Sequence, residues 1–147
     1  MTHKIEMNEL LETMFSKDGI NFENAYGWNL LARQVRVHNE ELNESLGFNV
    51  TEDEALFSWY ENIYTPVKRA IASRRVRKSF QDKSTGEIFI EVAEHWKELA
   101  QKNDAISAEV AAYDLSYRNK KKNGRFTGMM NSQKPRGGMP TVGQSLA

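Results

Sequence analysis

Hydrophobic positions recur at three and four residues along most of this chain, the spacing of one face of an α-helix. Near the start, Leu10, Leu11, Met14 and Phe15 form such a stripe and predict a short docking helix over residues 5–15, stopped by Lys17-Asp18-Gly19. A longer helix is expected over residues 22–46. There Tyr26, Leu30, Leu31, Val35, His38, Leu42 and Leu46 share a face, and Gly47 follows as a left-handed cap.

Thr51-Glu52-Asp53-Glu54 has the form of a capping box: the threonine hydroxyl takes an orphan amide at the helix start and Glu54 reaches back to the cap amide. The helix it starts carries Ala55, Leu56, Trp59, Tyr60 and Ile63. Thr65-Pro66 is expected to end it and begin the next, because proline suits a first helical turn. That next helix holds Val67, Ala70, Ile71 and Val76. Ser84-Thr85-Gly86-Glu87 repeats the capping logic ahead of Ile88, Phe89, Val92, His95, Trp96 and Leu99, and a last helix is expected over residues 107–117. No segment alternates as a half-buried strand does, so the fold class is all-α, a bundle of five or six helices.

From Asn119 the pattern is lost. The segment NKKKNGRFTGMMNSQKPRGGMPTVGQSLA holds five of the nine glycines and two of the three prolines, too little apolar surface to offset the entropy of ordering. The expected organisation is a docking helix over residues 1–20, a bundle over 21–118 and a flexible tail, disordered in isolation, over 119–147.

Charge sharpens that division. The formal net charge is zero, yet all 20 acidic residues fall in residues 1–117, beside 13 Lys and Arg, while residues 118–147 hold seven Lys and Arg and no acid. An acidic body is joined to a cationic arm. The chain has no cysteine, which removes disulfides and thiolate metal sites and fits a reducing compartment, so the cytoplasm is the expected location. Its apolar stretches are too short to span a membrane and its acidic N-terminus is unlike a signal peptide.

Four sets of residues can carry chemistry. Lys120, Lys121, Lys122, Arg125, Phe126 and Arg136 in the tail resemble flexible arms that meet nucleic acid or an acidic protein groove, with Met129, Met130 and Met139 as soft apolar anchors. Lys68, Arg69, Arg74, Arg75, Arg77 and Lys78 fall within eleven residues with no acid between them, suiting phosphates, or else the acidic faces of neighbouring helices or plain solvent. His38 with Glu41 and His95 with Glu98 repeat the form H-x-x-E-L at a period of 57 residues, with alanines Ala55 and Ala112 each 17 residues further on, consistent with a duplicated helix pair. On antiparallel neighbours these four side chains can converge on a metal, or the histidines can sit half-buried and hydrogen-bonded between helices. Trp59, Tyr60 and Tyr64 read as core, with Tyr60 and Tyr64 able to offer hydroxyls at a rim; the alternative is a recognition surface.

The blocks VRVHNEEL, VTEDEALFSWYENIYTPV and FQDKSTGEIFIEVAEH together resemble an uncharacterised helical bacterial domain. That domain follows ParB-like modules in proteins labelled transcriptional regulators, and a related segment stands beside lipopolysaccharide-kinase-like domains. Its block E-A-x-x-x-W-Y-[DE]-x-[VI]-Y-x-P is matched by Glu54, Ala55, Trp59, Tyr60, Glu61, Ile63, Tyr64 and Pro66. A second block is matched at Phe80, Glu87, Ile88, Phe89, Glu94 and His95, with Gln81, Asp82, Lys83 and Glu91 departing from it. The resemblance covers residues 26–117, without the ParB-like portion. It implies a helical fold and a regulatory context, with no mechanism attached.

No P-loop, dinucleotide glycine motif or nucleophile elbow is present, and the pattern implies neither an enzyme, a cofactor nor a small-molecule substrate. The expected function is a non-enzymatic regulatory or adaptor module whose basic tail and basic helix bind DNA, RNA or a nucleoprotein complex. The alternative is a structural or assembly component of a larger particle, a homo-oligomer being one form of it, whose tail orders against neighbouring subunits; a metal-dependent bundle enzyme ranks last.

Overall fold

The capping and packing chemistry of the sequence sets the helix ends in the computed structural model, which describes residues 6–131, with side-chain surroundings through residue 121. Helix α1 (Met7–Phe15) runs into a short 3-10 turn that Gly19 ends at φ 88°, a left-handed conformation glycine adopts without strain. Helix α2 (Tyr26–Leu46) ends the same way on Gly47 at φ 81°. Helix α3 (Glu52–Trp59) starts at the expected capping box, with the Glu54 amide donating to Thr51 Oγ1 at 3.1 Å and the Thr51 amide to Glu54 Oε1 at 2.8 Å. Helix α6 (Thr85–Lys102) starts on the second box, Ser84 with Glu87.

Between these lie two departures from the expected pattern. The chain does not break at Thr65-Pro66: α3 continues through a π turn (Tyr60–Tyr64) into α4 (Thr65–Ile71). Proline lacks an amide and its ring crowds the carbonyl four residues back, and the wider π turn leading into Pro66 accommodates both within one rod. The basic stretch is not one helix either. It breaks at Ala72-Ser73, where Ser73 Oγ accepts from the Val76 amide at 3.2 Å and starts α5 (Arg74–Ser79). The last helix, α7 (Ala108–Asn131), runs past Tyr117 and into the segment read as tail. Residues 132–147 of that segment lie outside the described residues.

Helix α2 begins four residues later than its periodicity implies. Phe22 leaves the helical path and lays its ring between α2 and α6, edge-on to Trp28 at 5.0 Å, in space opened by Gly27 and Gly86. A methyl group on either glycine would overlap that ring. The loop is also tied to the start of α6, since the Gly86 amide donates to Asn21 O at 2.8 Å and Thr85 Oγ1 to Gly19 O at 2.7 Å.

The described residues are thus all-α, with a single core holding Leu11 and Phe15 of α1, Leu31 and Val35 of α2, Trp59 and Tyr64, Val67 of α4, Val76 of α5, and Phe89 and Val92 of α6. Helix α1 packs inside this core: Phe15 stacks on Tyr64 at 3.9 Å. Two hairpins, α2–α3 and α6–α7, carry the repeated histidines, and Ala55 and Ala112 are buried in both. No helix among the described residues is long and apolar enough to cross a membrane.

Candidate functional site

Small residues bring α7 close to the bundle. Ala108, Ala111, Ala112 and Ser116 are all buried along one face, with Leu115 packed against the core beside them, and α7 packs against α4, α5 and α6. Helix α5 contributes one anchor, the fully buried Val76, which leaves Arg74, Arg75, Arg77 and Lys78 exposed around it. Two contacts fix α5 to α7. The Arg75 guanidinium lies 5.7 Å from the centre of the Tyr113 ring, and Asn119 Nδ2 donates to Ser79 O at 2.6 Å. Lys120 and Lys121 follow Asn119 directly and are exposed.

Helix α5, with its four exposed cations, therefore packs against the helix that carries Lys120 and Lys121. Tyr113 and Tyr117, one turn apart and exposed by 43% and 64%, stand on the same helix as the lysines. Of the six cations between residues 68 and 78, Lys68 alone has a carboxylate partner among the described residues, Asp18 at 3.6 Å. Helix α7's Asp114 is already engaged: Arg118 Nε donates to it at 2.8 Å and His95 Nε2 meets the same oxygen at 2.7 Å. These contacts, the His95 hydrogen bond first, hold the Asp114 carboxyl below the usual range.

The tail positions divide. Lys122, Arg125 and Phe126 fall on the last turns of α7, where the backbone alone is described, and Arg136 lies outside the described residues.

The two His-x-x-Glu pairs do not converge. Each histidine turns into its own hairpin, His38 Nε2 pairing with Ser58 Oγ at 2.9 Å and His95 with Asp114. Glu41 instead bridges α2 to α6 by pairing with Lys97 at 2.7 Å, and the Glu98 side chain is 79% exposed, 3.8 Å from His95 Nδ1. Among the described residues no group of three or more His, Asp or Glu is placed to hold a metal ion, because the helices that carry the pairs direct them to different partners. Both histidines take the hydrogen-bonded interhelical role. Burial pushes the His38 imidazole below its usual range.

The aromatic cluster splits as well. Trp59 and Tyr64 are core residues, in a network with Phe15 and Phe89, and the Tyr64 hydroxyl donates to Asp18 at 2.8 Å instead of facing solvent. Burial, with that hydrogen bond, raises the Tyr64 pKa far above the phenol range. Tyr60 is the one ring of the three at the rim, 39% exposed. Sequence reasoning missed a further feature, a groove between α2, the π turn and α6. No single segment signals it.

Comparison with protein-family models, with curated proteins and with solved structures gave no match.

Proposed function

We propose that this protein is a non-enzymatic regulatory or adaptor module that binds nucleic acid through the basic face of α5 and α7. The observation that carries the reading is the set Arg74, Arg75, Arg77 and Lys78: four exposed cations in five residues, none with a carboxylate partner among the described residues, on a helix packed against α7, which carries the exposed Lys120 and Lys121. Cations left unneutralised in this way release counterions when they meet phosphate, which is the main source of sequence-independent affinity. Tyr113 and Tyr117 add flat rings on which unpaired bases can stack. The resemblance to a domain found beside ParB-like modules is consistent with a regulatory setting.

The test is fluorescence anisotropy of the full chain with a labelled duplex and a labelled single strand of equal length. The expected result is saturable binding to at least one of them, and loss of it in the variant R74E/R75E/R77E/K78E. Absence of binding to both, or full retention in the charge-reversed variant, overturns the proposal.

A second reading, a subunit of a larger assembly, draws on Leu46, Phe48 and Phe57 around the α2–α3 hairpin, exposed by 50%, 61% and 64%. It predicts a concentration-dependent rise in mass by light scattering, abolished by F48S/F57S and insensitive to the α5 substitutions.

A further inference from the structure

Helix α7 buries one side against the bundle, through Ala108, Ala112 and Ser116, and exposes the other. On the exposed side Tyr113, Tyr117, Lys120 and Lys121 follow one another at three and four residues, which sets them in one stripe along the helix. Helix α5 adds a cation to the start of that stripe, since the Arg75 guanidinium lies 5.7 Å from the centre of the Tyr113 ring. The hydrogen bond from Asn119 Nδ2 to Ser79 O at 2.6 Å keeps α5 beside α7 up to the residue before Lys120. The two rings thus have cations at both ends, Arg75 beside Tyr113 and the lysines one turn beyond Tyr117. The acid next to Tyr113, Asp114, is already held by His95 and Arg118, and Glu109, four residues before Tyr113, closes the stripe.

A nucleic-acid strand has the complementary layout, one anion and one flat apolar ring per nucleotide. The spacing of the tyrosines decides which form of nucleic acid fits. Four residues of α-helix rise about 6 Å at 1.5 Å per residue, whereas successive nucleotides of one duplex strand rise about 3.4 Å. Two neighbouring bases reach both rings only when their own stack is opened. A single strand opens it readily, while a duplex must give up pairing as well. Arg75 contributes twice, because a guanidinium near the face of a tyrosine restrains the ring and keeps its charge close to where the phosphate of a stacked base runs.

We propose that the α7 stripe makes this chain a single-strand binder: adjacent bases of DNA or RNA stack on Tyr113 and Tyr117, and Arg75 on one side and Lys120 and Lys121 on the other meet the flanking phosphates. The inference rests on the nucleic-acid reading of α5 above and adds to it the form of the strand.

The experiment measures fluorescence anisotropy of the full chain with four labelled probes of equal length: oligothymidine, oligouridine, the thymidine–adenosine duplex, and a strand of abasic sites, which keeps the phosphates without the bases. The expected result is that oligothymidine or oligouridine binds at least about fivefold tighter than both the duplex and the abasic strand, although the duplex carries the denser charge. The tighter of the two separates DNA from RNA. Y113L/Y117L should erase that advantage and leave the abasic affinity unchanged, with Y117L alone as the milder variant should the pair lower helicity. Y113F/Y117F keeps both rings and should retain the advantage. Irradiation of a strand carrying 5-iodouracil should cross-link it to Tyr113 or Tyr117, located by mass spectrometry of the peptides. A duplex or abasic strand that binds as tightly as the base-bearing strands, an advantage that survives loss of the rings, or cross-links only elsewhere overturns the proposal and leaves the charge reading of α5 standing. No binding of any probe overturns both.

Discussion

Gly86→Ala is a small change whose sign depends on one ring. In a helix interior alanine is better than glycine by up to about 1 kcal/mol, and less in the first turn where Gly86 sits. Here an added Cβ would overlap Cε1, Cζ and Cδ1 of Phe22, which is held between Gly27, Gly86 and Trp28. Phe22 cannot move aside freely, because its neighbours Asn21 and Gly19 are hydrogen-bonded to the start of α6. Overpacking of this kind costs about 1–3 kcal/mol, which outweighs the propensity gain, so the substitution should destabilise the domain. At roughly 3–6 °C per kcal/mol for a domain of this size, the midpoint of thermal unfolding should fall measurably. The decisive assay is a double-mutant cycle with Phe22→Ala followed by urea unfolding. In the Phe22→Ala background the clash is gone, and Gly86→Ala should be neutral or stabilising. Equal destabilisation in both backgrounds would refute the packing argument.

Other parts of the fold respond in predictable directions. Thr51→Ala removes the hydroxyl that accepts from the Glu54 amide and should lower stability by about 1 kcal/mol in urea unfolding, with Thr51→Ser retaining most of it. His38 has a folded pKa depressed by burial, so below the ordinary imidazole value of about 6.5 the unfolded chain binds the extra proton first. Its contribution is therefore fully present above that pH and is lost as pH falls through the folded pKa. His38→Gln, which can still pair with Ser58, should flatten the loss of stability between pH 7 and pH 5; an unchanged slope would show that His38 is not its source. Asp114, also depressed, acts in a separate window: its stabilisation is present above the ordinary carboxyl value and lost as pH falls below it, and Asp114→Asn should remove that acid-limb slope.

The chain's local chemistry was legible where partners are near in sequence. Both capping boxes and the Gly47 cap are defined by residues a few positions apart, and they stand where the sequence puts them. Phe22 was misread because its spacing from Tyr26 is helical, while its actual partners include Gly86, remote in sequence. Pro66 was read as a boundary because a proline normally ends a helix, and whether a π turn relieves it depends on the packing of Tyr64 against Phe15 and Phe89. Ser73 as a cap was available in the sequence, hidden by the uninterrupted basic run around it.

For the candidate sites the division is similar. Each basic region was visible on its own, but the packing of α5 on α7 depends on the Asn119–Ser79 hydrogen bond and the Arg75–Tyr113 contact, neither of which has a sequence signature. The paired histidines were visible too, but the two pairs do not converge, because periodicity places residues on a helix face without fixing which neighbour that face meets. Trp59 was correctly read as core; that its N–H lacks a partner follows only from the arrangement of three helices around it.

The central claim is that α5 contacts phosphate, and the salt dependence of nucleic-acid affinity tests it most directly. Each neutralised duplex phosphate contributes a slope of about −0.9 to the plot of log K against log salt concentration. The wild-type chain should show a steep negative slope, and R74Q/R75Q/R77Q/K78Q should reduce its magnitude by roughly 2–4 while lowering affinity for unrelated sequences alike. A slope and affinity unchanged by those four substitutions would contradict the account.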